Sequence, residues 1–207
     1  MKKIFILSLL LFFTPLLFSE SLETVCASLA SKKNNTGDFV QTKTIQTNGR
    51  KLKSTGKYII CPEGILWQTE KPIAASLILT KDTMIQVAAN GKKSVMNGKD
   101  NQVFANISET LSSVFSGDVN ALKKNFTCSF EMKENGDWLV TLLPKDSTIA
   151  SVMTELKLSG IWSKNYDAEM TGLIMAESSG NTITYDFINQ KYPKELSADE
   201  RQNFIAQ

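Results

Sequence analysis

The chain has 207 residues, 42% of them hydrophobic and 21% charged, a formal net charge of +2 and no histidine. Without histidine it lacks the commonest general base and the commonest zinc ligand. Setting Lys2 and Lys3 aside leaves 21 basic against 21 acidic residues, so there is no excess of cations to displace counterions from a polyphosphate, and nucleic acid is a poor partner class.

Lys2 and Lys3 precede an apolar run from Ile4 to Phe13, followed by Thr14, Pro15 and a short exit at Leu16 to Ser19. This pattern predicts a secretory signal peptide over residues 1–19, and its apolar core is shorter than the roughly 20 residues a membrane span needs. The remainder, 20–207, suits one domain with a sizeable core. Cys26, Cys61 and Cys128 then enter an oxidising compartment, where one disulfide with one free thiol, or three buried thiols, both satisfy the count. Cys61 and Cys128 lie in or beside predicted strands and Cys26 in a predicted helix, which favours Cys61–Cys128 as the pair. Glu23, Thr24 and Val25 ahead of Cys26 do not look like a lipobox, so Cys26 is not read as a lipidated first residue.

Leu22, Val25, Cys26 and Leu29 recur at helical spacing and predict a helix over Glu20–Lys33. The texture then turns to β, with strands predicted over Phe39–Thr47, Leu52–Ile60, Ile65–Thr69, Ala75–Thr80 and Met84–Ala89. Asn48-Gly49 and Asn90-Gly91 are tight-turn pairs that accept positive φ. Asn106–Phe126 interrupts the run with Ile107, Leu111, Val114, Phe115, Val119 and Leu122 at spacings of three and four, predicting one or two helices hinged near Gly117. Strands resume at Thr127–Lys133, Trp138–Leu143, Leu156–Gly160, Gly172–Glu177 and Ile183–Ile188, with turns at Asn135-Gly136 and Gly180-Asn181. Ser197-Ala-Asp-Glu200 is a capping box opening a last helix. Short turns between consecutive strands imply an antiparallel meander, and about ten twisted strands curl strongly. The fold class is therefore α+β, a curved antiparallel sheet covered by short helices.

Chemistry is sparse in this pattern. Ser54-x-x-Lys57 matches a penicillin-recognition motif, but that motif opens a helix, and Gly56 with Leu52, Tyr58 and Ile60 indicates a strand. Gly91-Lys-Lys-Ser94 resembles the end of a P-loop without its first glycine or its terminal Ser/Thr and reads as a hairpin tip. Asp137, Asp146, Glu155 and Asp167 are flanked by turn or charged residues, as solvated carboxylates are, and no EF-hand series is present. No catalytic residue, metal site or cofactor is predicted, and the chain is not read as an enzyme. The bulky apolar residues suit either an ordinary core or the mouth of a curved sheet, and such mouths are frequent ligand sites.

The order and spacing of Phe39-Val-Gln41 with a lysine close behind, Ser54-x-Gly56, Leu66-Trp67, Pro72 and the apolar strand before Lys81-Asp82 resemble the LolA lipoprotein carrier family, in particular its LolA-like branch. The resemblance continues through Phe115-Ser-Gly117-Asp118, Trp138-Leu-Val-x-Leu142-x-Pro144 and Glu195 to Phe204, covering nearly all of the chain after the leader. It implies an incomplete barrel of roughly ten or eleven strands whose apolar cavity shields the acyl chains of lipoproteins, or of a related acylated lipid, while they cross the periplasm from inner to outer membrane. It also implies an inner-membrane exporter and an outer-membrane acceptor as partners, and a monomer. On that basis Phe39, Tyr58, Ile60, Leu66, Leu77, Leu79, Ile85 and Val87 are expected to form the cavity wall, with Leu111, Val114 and Phe115 as its lid. The sequence departs from the family at Cys61-Pro62, where the better-known carriers have a basic residue that latches the lid. The competing expectation is an envelope interaction or assembly module with the same barrel and a filled core.

Overall fold

The computed structural model describes residues 21–97, 109–110, 112–165 and 167–205. The predicted leader at 1–19 and the lid position Leu111 lie outside the described residues.

Helix α1 (Leu22–Ser31) starts where Ser21 accepts a hydrogen bond from the Thr24 N–H, and it buries Leu22, Val25 and Cys26. Six strands follow: β1 (Asn35–Thr44), β2 (Lys51–Cys61), β3 (Gly64–Lys71), β4 (Ala75–Leu79), β5 (Thr83–Val87) and β6 (Lys93–Asn97). Residues 109–110 and 112–116 are helical and are called α2. Helix α3 (Val119–Asn125), strands β7 (Phe126–Met132) and β8 (Asp137–Pro144), helix α4 (Ser147–Ala150), strands β9 (Met153–Trp162), β10 (Ala168–Glu177) and β11 (Thr182–Lys191), and helix α5 (Ala198–Ile205) complete the chain.

The strands form one eleven-stranded sheet in the order β6-β5-β4-β3-β2-β1-β11-β10-β9-β8-β7, antiparallel throughout, with its two edges unjoined. The chain thus begins at the centre and meanders to one edge, then crosses to the far edge and meanders back until β11 pairs with β1. This is the open, helix-covered antiparallel architecture expected from the sequence. Glycines at the tight turns carry the conformation that made those turns legible, with φ of 67° at Gly49, 78° at Gly91, 89° at Gly136 and 85° at Gly180. Gly117 (φ 65°) makes the predicted hinge between α2 and α3, and the Cys26 carbonyl lies so close that a Cβ there would approach it to 2.3 Å. The last helix opens on the predicted capping box, the Ser197 N–H donating to Glu200 at 2.8 Å and the Glu200 N–H to the Ser197 hydroxyl at 3.3 Å.

Two elements differ from the sequence reading. Strand β6 occupies Lys93–Asn97, where a hairpin tip was expected; it is an edge strand with mostly exposed side chains, so it carries no alternating apolar pattern. Helix α4 is a single turn capped by Asp146, too short to show a period.

The disulfide expectation is also corrected: Cys26, Cys61 and Cys128 are all free. Cys61 packs with Ile59, Leu66, Ile78 and Leu196 from the interior strand β2, whereas Cys128 packs against the main cluster from the edge strand β7. Burial pushes the Cys26 and Cys61 thiols up to about 11 and raises that of Cys128, which withholds the reactive thiolate. Iodoacetamide at pH 8 is expected to modify Cys26 and Cys61 of the native protein slowly, and all three cysteines quickly in denaturant without reductant. Peptide mapping of unreduced protein checks this, and a linked Cys61–Cys128 pair would contradict it.

Candidate functional site

The sheet has apolar side chains on both faces, and register assigns each one. On one face, called inner, Phe39 of β1 stands opposite Gly56 of β2 and Phe187 of β11, Tyr58 opposite Trp67, Ile60 opposite Ile65, Trp67 opposite Leu77 and Ile65 opposite Leu79. Helices α1, α2 and α3 supply Leu22, Val25, Val114 and Leu122 to the same cluster. The other face is partly covered by the C-terminal segment, where Leu196 and Phe204 pack on Ile59, Cys61, Leu66, Ile78, Ile85 and Val87.

This geometry divides the predicted cavity wall. Phe39, Tyr58, Ile60, Leu77 and Leu79 stand on the inner face, with Val114 and Phe115 of α2 against it. Leu66, Ile85 and Val87 do not; they belong to the outer face beneath the C-terminal segment, and the expectation for these three is corrected. A strand exposes successive side chains to opposite sides, and Ile65-Leu66-Trp67 is apolar on both, so the sequence alone could not choose. The residues missed in consequence are Trp67, Ile65 and Met84, which pack with Ile60, Leu79 and Phe115.

Trp67 is the hub of the inner face. Its ring lies 5.2 Å from Phe39, 5.8 Å from Tyr58, 5.0 Å from Tyr185, 5.9 Å from Phe187 and 5.9 Å from Phe115. Stacked, tilted and edge-on contacts of this kind add to the stabilisation from burial. The Tyr58 hydroxyl bonds within the protein, its single proton shared between the side-chain oxygens of Asn35 at 3.0 Å and Gln190 at 3.1 Å, and burial raises its pKa well above the ordinary phenol value. Burial likewise pushes Tyr185 up to about 12, so both phenols are neutral at physiological pH.

Helix α1 is pinned to the β9–β10 connection: the Ser28 hydroxyl donates to Asp167 at 3.0 Å and accepts from the Ala168 N–H at 2.8 Å. Lys32 adds an ion pair to Asp167 at 2.9 Å, a bond to the Ala168 carbonyl and a position 4.2 Å from the centre of the Tyr192 ring. Among the described residues helix α2 packs against the cluster through Val114, 2% exposed, and half-buried Phe115, and carries an exposed Glu109–Lys124 pair at 3.4 Å. Exposed pairs contribute little. A cleft of about 720 Å³ opens between α1, α2 and the β2–β3 and β4–β5 turns, with Leu29, Ile60, Ile65 and Phe115 in its apolar lining and Lys33 and Lys81 among its charged residues.

Among the described residues no group of three or more Cys, Asp and Glu could hold a metal ion, and no helix is long and apolar enough to cross a membrane.

An unclosed antiparallel sheet with an aromatic inner face beneath short helices defines the open-barrel class of carrier and binding folds. The family model described as outer membrane lipoprotein carrier protein LolA matches residues 30–201, and the chain belongs to the LolA family. Proteins of this family are carriers or binders of lipids and lipoproteins rather than enzymes. Solved structures similar to this chain include a LolA superfamily protein from Nitrosomonas europaea, at 8% identity and a TM-score of 0.45, covering 87% of this chain and 97% of that one. A putative outer membrane lipoprotein-sorting protein domain from Vibrio parahaemolyticus is 9% identical with a TM-score of 0.41, covering 89% and 99%. The lipoprotein LppX of Mycobacterium tuberculosis is 8% identical with a TM-score of 0.41, covering 85% and 98%. No curated protein matches the sequence.

Proposed function

We propose that the chain, exported by a signal peptide at 1–19 and beginning as a mature domain near Glu20, is a periplasmic carrier that shields the acyl chains of a lipoprotein or a related acylated lipid between the inner and outer membranes. The observation that carries this reading is the inner face itself. Six aromatic rings, those of Phe39, Tyr58, Trp67, Phe115, Tyr185 and Phe187, meet there, Phe115 being contributed by the covering helix α2. Each methylene left in water costs about 0.8 kcal/mol, so a long acyl chain faces a barrier on the order of 10 kcal/mol unless it is enclosed. A carrier must also release its cargo, and a lid that opens at modest cost serves that need. The working cycle takes lipid from an inner-membrane exporter and passes it to an outer-membrane acceptor, with the carrier acting as a monomer.

A second reading, an envelope interaction module with a filled core, is favoured by how closely the rings already pack, Phe39 and Tyr58 each being 1% exposed. Native mass spectrometry of protein purified from the periplasm separates the two and also reads where the chain starts. A chain beginning near Glu20 that carries co-purifying lipid, or takes up a fluorescent acyl probe, is the expected result. A folded chain that takes up no acyl probe would leave the interaction module standing, and a chain starting at Cys26 with a diacylglyceryl increment would refute the leader assignment.

A further inference from the structure

Trp67 carries a polar atom that the fold leaves unused. Its indole Nε1 is buried and has no hydrogen-bond partner among the described residues, although the neighbouring Tyr58 hydroxyl reaches both Asn35 and Gln190. Buried donors without an acceptor are rare, since each has given up its bond to water.

The Trp138 indole N–H is also unpartnered, but its surroundings are closed. Trp138 is 2% exposed and lies against Gly160, where a Cβ would come within 2.2 Å of the ring. That tryptophan fills the space a side chain at 160 would take and leaves no room for a ligand. Trp67 is placed differently. It is half-buried, it touches Phe115 of α2, and it packs with the Ile60 and Ile65 that line the 720 Å³ cleft.

We propose that the Trp67 indole N–H is the hydrogen-bond donor for the carbonyl oxygen of an acyl chain, whether ester or amide, bound on the inner face once Phe115 moves aside. This rests on the acyl-carrier reading and adds to it a position for the polar end of the chain and a reason for preferring acyl over alkyl lipids. The indole N–H donates and cannot accept. An ion at this depth among apolar side chains would be strongly penalised, which leaves a neutral acceptor, and the carbonyl is the neutral acceptor every acyl chain carries. The donor is covered by rings in the empty protein, so its hydrogen bond forms only with cargo present.

The test compares three single-chain probes of matched length: glyceryl monooleate, N-oleoylethanolamine and the oleyl ether of glycerol. The wild-type protein should bind the ester and the amide about fivefold more tightly than the ether, the ratio expected of one neutral hydrogen bond. Trp67→Phe, which keeps a ring and loses the N–H, should bind all three alike. A preference confined to the ester or to the amide supports the proposal and names the source of the carbonyl. On 15N-labelled wild-type protein, which needs no variant to fold, the Trp67 indole resonance should move downfield with the ester or amide and not with the ether, while that of Trp138 stays. Equal wild-type affinity for the three probes, an ester preference that survives in Trp67→Phe, or an unmoved Trp67 resonance would overturn the assignment while leaving the carrier reading intact. Uptake of none of the probes by the wild type would defeat both.

Discussion

A Gly56→Val chain is expected to accumulate as insoluble protein, and any soluble fraction to lack a cooperative thermal transition. Gly56 lies in β2 opposite Phe39, and on its other side the β2–β3 ladder slips: Thr55 faces Lys71 while Gly56 faces Thr69, leaving Glu70 as an extra residue in β3. Such a bulge bends the strand that contains it, and here the β3 backbone closes on Gly56, so that a Cβ would stand 2.0 Å from the Gln68 carbonyl oxygen and 2.8 Å from the Thr69 Cα. Backbone cannot rotate away as a side chain tip can. The strand would have to shift, and Trp67 with its ring contacts would shift too, a loss on the order of 4 kcal/mol or more out of a total stability of about 5–15 kcal/mol. Gly49→Ala is the comparison. Gly49 has φ 67° and nothing within 4 Å of the added atom, so only local backbone strain of roughly 1–2 kcal/mol applies. Circular dichroism melts of the two variants check the difference, and a Gly56→Val protein melting within a few degrees of wild type would contradict it.

How much of this could be read in advance depended on whether a feature was local. Turn glycines, the capping box at Ser197 and the hinge at Gly117 are set by backbone conformation within a few residues, and each stands where the sequence placed it. The apolar runs located ten of the eleven strands; β6, polar and at an edge, carried no period to read. Face assignment is not local. Residues 58–61 of β2 and 65–67 of β3 are apolar in unbroken runs because the C-terminal segment covers the outer face there, and the sequence of β3 does not record that Leu196 and Phe204 return to it. Leu66 was therefore preferred to Trp67, although Trp67 is the ring around which the inner face is built. Cysteine pairing failed for the same reason: Cys61 and Cys128 both border strands, but the meander sends those strands to different parts of the sheet.

Leu77→Asp is expected to abolish acyl-probe uptake while leaving the melting transition within a few degrees of wild type, and Leu79→Asp to unfold the chain. Both leucines are in β4 and face inward, Leu77 opposite Trp67 and Leu79 opposite Ile65. They differ in burial: Leu79 is 3% exposed and is one of the two buried residues of its cluster, whereas Leu77 is only half-buried. A carboxylate at 79 would be desolvated in the folded protein without a partner, at a cost of several kcal/mol. At 77 the carboxylate keeps access to water in the empty protein and loses it only when a chain covers it, so the penalty falls on binding. A loss of at least tenfold in probe affinity, more than 1.4 kcal/mol, is the expected size. Val95→Asp on the exposed β6 edge controls for added charge and should change neither uptake nor melting. If Leu77→Asp unfolds as readily as Leu79→Asp, the inner face near Trp67 is a filled core and the interaction module is the better account. If Leu77→Asp folds and takes up acyl probes as well as wild type, the cargo does not lie along β4.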